Sequence, residues 1–134
     1  MISTLLAVAW ALPLSVNAAR MPTTNGDAGW LAGVWKGSSI CQIKESPCHD
    51  EVVVYYVTEE PEHEVFQIKM NKVVNGADET MGVLDCKAAP ARDALDCRPN
   101  DCTTWSLKLD KDVLNGTLLY KGQLYRKIRM TRAQ

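Results

Sequence analysis

The chain has 134 residues, 46% of them hydrophobic and 23% charged, which fits one globular domain and excludes an intrinsically disordered chain. The 15 lysine and arginine residues nearly balance the 16 aspartate and glutamate residues, so the formal net charge is −1. A chain so close to neutrality has no basic field to attract nucleic acid, and no nucleic-acid partner is predicted.

The first 18 residues have the features of a secretory signal peptide. They carry no charged side chain, the run from Leu5 to Leu12 is apolar, and Val16 and Ala18 provide small residues for cleavage after Ala18. The alternative is a membrane helix, but the apolar run is shorter than the about 20 residues that span a bilayer.

The sequence therefore divides into a signal peptide over 1–18, a flexible polar lead-in over 19–29 and one domain over 30–134. No later segment is apolar for long enough to span a membrane. We predict a secreted or periplasmic protein, in a compartment where disulfides persist.

The mature chain alternates apolar and polar residues with a period of two, which is typical of half-buried strands. The clearest runs are 66–70, 105–109 and 124–130, and the apolar segment 52–57 predicts a more central strand. Turn signals such as Asn75-Gly76 separate the runs. The predicted strands cover 34–43, 50–58, 64–74, 79–87, 93–98, 103–110, 113–121 and 123–131.

Eight strands with short connections predict an all-β fold, an antiparallel up-and-down β-barrel, because closure removes the two free edges of a long meander. No segment has the periodicity of a helix. The segment 88–94 is rich in alanine, but its Pro90 favours a loop. Asn115-Gly116 falls inside a predicted strand, and a turn at that point is the alternative.

Five cysteines in a short secreted chain indicate disulfides, although two bridges and one free thiol allow 15 arrangements. Cys86 and Cys97 lie on consecutive predicted strands, so a bridge across that hairpin is within reach. Cys41 and Cys48 flank a turn. We therefore favour the pairs 86–97 and 41–48. Cys102 is then a free thiol, or it competes for Cys97 or Cys86.

A metal site built from Cys41, Cys48, His49 and the later cysteines is the alternative, but the close cysteine pairs typical of zinc sites are missing. No cofactor and no metal are predicted.

Catalytic motifs are also missing, so the sequence does not predict an enzyme. The densest polar cluster is Cys48-His49-Asp50-Glu51, where a general base is one interpretation. His49 and Asp50 would point to opposite faces of a strand, which favours a junction whose polar side chains satisfy backbone groups. His63 lies in an acidic segment that is typical of a solvated connection.

Arg126 shares a strand face with Leu124, Ile128 and Met130, so it needs a partner inside the barrel. The structural interpretation stacks Arg126 on Trp35 and closes the barrel. The functional interpretation has Arg126 receive the carboxylate of a ligand. A shift of phase that places Arg129 inside instead is a further alternative.

The segment from Leu31 to Ser39 contains Gly33 and Trp35 and resembles the first strand of the calycin superfamily, which includes lipocalins and fatty-acid-binding proteins. Members begin with a Gly-x-Trp element and end with an arginine-bearing strand that packs over the tryptophan, a place that Arg126 matches. The resemblance implies a lipocalin-like barrel that binds a small molecule. Ile128 stands where the fatty-acid carboxylate signature has tyrosine, a departure from that subfamily.

Two further resemblances concern shorter segments. Residues 31–35 followed by Cys41-Gln42 are similar to small periplasmic barrel inhibitors of bacterial metalloproteases. The Cys-His-Asp-Glu element at 48–51 resembles one found in small secreted bacterial proteins, and it implies no activity.

Two functional hypotheses follow. The first is a lipocalin-like protein that binds a small apolar or amphipathic ligand, in space left by the small residues Gly37, Ser39 and Cys41. The predicted ligand-binding residues are Trp35, Phe66, Ile68, Met70, Trp105 and Arg126. The second is a protein-binding module, such as a protease inhibitor, that acts through residues 20–29 or a loop. A barrel filled by its own side chains, without a ligand, is the remaining alternative.

Overall fold

The computed structural model describes residues 31–60 and 65–133. All of the regular structure in these residues is β, as the alternating sequence predicts. The signal peptide and the lead-in, as well as His63, lie outside the described residues. The strands are β1 (Gly33–Cys41), β2 (Glu51–Glu60), β3 (Val65–Val74), β4 (Ala77–Ala88), β5 (Ala94–Asn100), β6 (Thr103–Asp110), β7 (Val113–Tyr120) and β8 (Gln123–Arg132).

The eight strands form a closed antiparallel barrel in sequence order, and β1 pairs with β8 to complete it. The predicted fold class is therefore confirmed. Asn115-Gly116 lies within β7, so the turn alternative is wrong there, whereas Asn75-Gly76 forms a turn as predicted. In residues 31–60 and 65–133, no helix has the length and apolar character needed to cross a membrane.

The alternating apolar side chains of the strands meet inside the barrel and form one buried core. Tyr55 on β2 and Trp105 on β6 come from opposite walls, because three strands separate β2 from β6 in either direction. Their ring centroids lie 6.4 Å apart in an edge-to-face arrangement. The barrel is therefore bridged by aromatic side chains at this level.

Trp35 is fully buried near one end of the core and donates a hydrogen bond from Nε1 to the carbonyl oxygen of Leu31 at 2.9 Å. The guanidinium of Arg132 lies over its ring, 4.4 Å from the centroid. Stacking of Arg126 on Trp35 is therefore wrong. The register explains why: Trp35 pairs with Arg132 across the β1–β8 seam, whereas Arg126 pairs with Cys41 at the other end of β1.

Two glycines of β1 allow β8 to approach β1 closely, and they do not leave empty space inside the barrel. Gly33 has φ 131°, and a Cβ there would lie 2.9 Å from Nη1 of Arg132. A Cβ on Gly37 would collide with the backbone of Arg129 and Met130 on β8. The expectation that Gly37 leaves room inside is therefore wrong, because the tight β1–β8 seam occupies that place.

Two disulfides staple the barrel, between Cys41 and Cys48 and between Cys86 and Cys97. These are the two pairs that the strand arrangement favoured, and Cys102 is an exposed free thiol. Because Cys41 and Cys48 are oxidised, their sulfurs do not act as thiolate ligands for a metal. Two disulfides in so small a protein are consistent with an extracellular or periplasmic location.

Candidate functional site

The connections β1–β2, β3–β4, β5–β6 and β7–β8 all lie at one end of the barrel, which we call the upper end. Ser39 near the end of β1, Glu51 at the start of β2 and Arg126 near the start of β8 meet there. The upper end therefore holds a pair of oppositely charged side chains, Arg126 and Glu51.

Arg126 makes its contacts through a single nitrogen. Its Nη1 donates to the hydroxyl of Ser39 at 3.2 Å, to the carbonyl oxygen of Ser39 at 3.4 Å and to the carbonyl oxygen of His49 at 3.0 Å. Nη1 also lies 3.5 Å from Oε2 of Glu51. The Arg126 and Glu51 side chains are 13% and 21% exposed, so the ion pair is largely withdrawn from water.

The Cys41–Cys48 disulfide explains how a main-chain carbonyl reaches Arg126. It closes the connection between β1 and β2 immediately before His49. A hydrogen bond from the Cys41 amide to Oδ1 of Asp50, 2.9 Å long, holds the same segment from its other side. The bridge therefore fixes the His49 carbonyl over the barrel end.

The polar side chains of the 48–51 cluster contact different partners. The Asp50 carboxylate accepts the Cys41 amide, and the His49 imidazole is exposed, which agrees with a junction that satisfies backbone groups. Glu51 alone points toward Arg126. The cluster does not bring His49 and a carboxylate together as a base and its orienting partner.

Tyr55 carries the most unusual polar atom of the interior. Its side chain is 1% exposed, and its hydroxyl has no hydrogen-bond partner among the described residues. Burial raises the pKa of Tyr55 well above its ordinary value, the charge of Glu51 raises it further, and the charge of Arg126 lowers it. The hydroxyl therefore stays protonated and is a hydrogen-bond donor within electrostatic range of Glu51 and Arg126.

Replacing Tyr55 by phenylalanine removes only this hydroxyl. We expect the ligand-free variant to gain about 1–2 kcal/mol in the free energy of unfolding, because a buried hydroxyl without a partner is destabilising. Denaturant unfolding followed by circular dichroism measures the change. Tyr56→Phe is the matched control, since the exposed Tyr56 hydroxyl donates to Asp78 at 3.2 Å, and its effect should stay within about 0.5 kcal/mol. A clear loss of stability in Tyr55→Phe would contradict the prediction.

The raised pKa of Tyr55 also predicts a pH dependence. Above pH 10.0, the ordinary value, the unfolded chain loses the Tyr55 proton while the folded protein keeps it. Deprotonation lowers the free energy of the unfolded chain alone. The contribution of Tyr55 to the free energy of unfolding is therefore fully present below pH 10.0 and is lost as the pH rises toward the pKa of the folded state. Between about pH 9 and pH 11 the wild type should lose more free energy of unfolding than Tyr55→Phe, which lacks the titrating group. Equal losses in the two proteins would show that Tyr55 does not titrate in this way.

The structure places the predicted ligand-binding residues in the core and not all at one site. Trp35 lies toward the end opposite the upper end, which we call the lower end, whereas Arg126 lies at the upper end. Met70 and Trp105, 6% and 9% exposed, are the least buried of the apolar ones. Phe66 and Ile68 are buried in the same core cluster. Their role as ligand contacts stays a prediction.

Sequence analysis missed three side chains: Ser39 and Glu51 at the upper end, and Tyr55, whose main chain pairs with Trp35 further down the barrel. A signal for two of them exists, because Glu51, Val53, Tyr55 and Val57 share one strand face by their period of two. Val53, Tyr55 and Val57 are buried, so this is the inward face. Extending that face to Glu51 would have predicted an inward carboxylate, which is the partner that an inward Arg126 needs.

No protein-family model matches the chain, and a search of curated protein sequences also finds no match. The functional argument therefore depends on the geometry of the upper end. The alternative of a protein-binding lead-in at 20–29 falls outside the described residues.

Proposed function

We propose that this is a secreted or periplasmic lipocalin-like protein that binds a small amphipathic molecule at the upper end of its barrel. The observation that carries the proposal is the buried Tyr55 hydroxyl, which has no partner in the described chain and lies within electrostatic range of the Arg126–Glu51 pair. Buried polar groups in folded proteins are almost always hydrogen-bonded, so this donor calls for an acceptor.

The donors of the site define the polar group of the ligand. Tyr55 offers one hydroxyl donor, and Arg126 forms no hydrogen bond to the described residues through Nε or Nη2. Both side chains therefore offer hydrogen atoms to an oxygen acceptor. A neutral carbonyl or hydroxyl group suits them better than the carboxylate expected for Arg126, because Glu51 already places a negative charge 3.5 Å from the guanidinium.

The apolar part of the ligand would contact aromatic and thioether side chains. Trp105 meets Tyr55 edge to face, and Met70 belongs to the same core cluster. Methionine and tryptophan provide polarizable contacts for a small apolar group, and methionine adapts its shape easily. Because Tyr55 and Trp105 bridge the barrel, the ligand would lie above this aromatic layer rather than deep in the core.

Native mass spectrometry of the protein purified from its source tests the proposal. We expect wild-type protein to carry a small molecule that is absent from Tyr55→Phe, because the variant loses a donor in a buried site. Tyr56→Phe should retain the molecule, since Tyr56 lies on the outer surface and its hydroxyl bonds to Asp78. Circular dichroism and the disulfide content of each variant establish that the barrel is intact.

Two results would contradict the proposal. One is wild-type protein that carries no small molecule. The other is folded Tyr55→Phe protein that carries the molecule in the same amount as the wild type.

A further inference from the structure

The wall of the barrel opens between β4 and β5. These strands pair only at Cys86–Cys97, Lys87–Asp96 and Ala88–Leu95. From Ala77 to Asp85, β4 pairs with β3 on one side, but on its other side no strand of the described chain pairs with it. The Cys86–Cys97 disulfide joins the strands at the last pair before they diverge, a point that we call the fork.

The sequence of β5 explains the fork. Pro99 lies two residues beyond the last β4–β5 pair and has no amide hydrogen, so β5 loses one ladder donor there. The pairing of β5 with β6 also shifts between Cys97 and Asn100, which bends the strand at the same place. The free edge of β4 therefore follows from the sequence and the pairing of β5.

The free edge lacks two of the common protections against pairing. Residues 77–85 contain no lysine and no proline, although they carry a β-bulge near Met81 and three acidic residues. Met81 and Val83 on this stretch are 39% and 53% exposed. The stretch therefore offers main-chain donors and acceptors together with apolar side chains, as in proteins that bind an extended peptide by strand addition.

A groove continues from the fork along the outer surface. It has a volume of about 690 Å³, and Asp85 and Arg98, which follow the last β4–β5 pair, both line it. Further along it is lined by the oppositely charged Lys87 and Asp96 and by small residues, including Ala88 and Ala94. An extended chain that leaves the β4 edge would thus meet a concave surface.

The charges along the edge favour a basic occupant. Residues 77–85 contain three acidic residues and no basic residue. Glu79 pairs with Lys72 at 3.7 Å, but neither Asp78 nor Asp85 has a cationic partner among the described residues. A second copy of the chain would bring the same acidic strand against it, so like charges disfavour self-pairing.

We propose that the β4 edge, residues 77–85, binds an extended basic segment of a partner protein by strand addition. The main chain of the partner pairs with β4, and its apolar side chains cover Met81 and Val83. Asp78 and Asp85 both face outward because a β-bulge near Met81 lies between them, and about 20 Å of strand separates them, so two basic residues six positions apart on one face of the partner strand would reach both.

Fluorescence anisotropy with the full folded protein tests this inference. The probe is a labelled strand peptide of about nine residues that alternates valine and threonine and carries two lysines six positions apart on the same face. The double variant Asp78→Asn/Asp85→Asn should bind it about fivefold or more weakly, as expected from the loss of two exposed ion pairs. Asp110→Asn/Asp112→Asn, which makes the same charge change at the β6–β7 turn, should bind as the wild type does.

A peptide with N-methyl groups on alternate amides separates strand addition from charge attraction, and it leaves the protein unaltered. We expect this peptide to lose binding, because it cannot complete the ladder. Equal binding of the methylated peptide, or no binding of the basic peptide, would overturn the proposal. So would a concentration-dependent dimer, found by sedimentation, that Val83→Lys abolishes, because a second copy would then occupy the edge.

Discussion

Replacing Cys86 and Cys97 together by alanine should lower the free energy of unfolding by about 3–5 kcal/mol. The bridge closes a loop with a sequence separation of 11, and both half-cystines are buried in the core. Its loss frees the unfolded chain and leaves a gap in the packing at the fork. Denaturant unfolding monitored by circular dichroism gives the difference.

The second bridge provides the control for this experiment. The Cys41–Cys48 loop has a sequence separation of 7, and neither half-cystine is fully buried. Replacing that pair by alanine should lower the free energy of unfolding by a smaller amount, about 2–3 kcal/mol. Hydrogen exchange in β4 and β5 should rise only in the Cys86/Cys97 variant. Equal destabilisation by the two double variants, or unchanged exchange at the fork, would contradict the prediction.

Replacing Arg126 by methionine should lower the free energy of unfolding by about 2–3 kcal/mol at neutral pH. The substitution keeps the aliphatic length but leaves the largely buried Glu51 carboxylate without its cation. It also removes the donor to the carbonyl oxygens of Ser39 and His49. Thermal or denaturant unfolding measures the loss.

A double-mutant cycle with Glu51→Gln isolates the charge effect. Arg126→Met should be less destabilising when residue 51 is glutamine, because no unpaired charge remains. A matched substitution at the exposed Arg129 on the same strand should change the free energy of unfolding by less than about 0.5 kcal/mol. An Arg126→Met effect that is the same with glutamate and glutamine at 51 would contradict an interaction between the two charges.

The barrel and its disulfides follow from local patterns in the sequence. Alternation with a period of two identifies strands such as 105–109, and consecutive strands with short connections leave few ways to be arranged. The pair Cys86–Cys97 could be favoured for the same reason, since a hairpin brings the two side chains together. These features depend on neighbours in the chain.

The contacts of the two arginines could not be predicted in the same way, because they depend on the register between β1 and β8. Those strands are distant in sequence, and no turn fixes their alignment. Both Arg126 and Arg132 belong to β8, and only the pairing of Trp35 with Arg132 decides which of them stacks on the ring. The opening at the fork is likewise a matter of register, although Pro99 is a local sign of it.

The most direct test of the proposed site compares wild type and Tyr55→Phe in ligand-free form and after addition of the molecule released from wild-type protein. The free energy of unfolding is measured in both forms. We predict that Tyr55→Phe is the more stable protein without the molecule, and that the molecule stabilises the wild type more, so that the difference shrinks or reverses. The same stability difference in both forms would contradict a role for the Tyr55 hydroxyl in ligand binding.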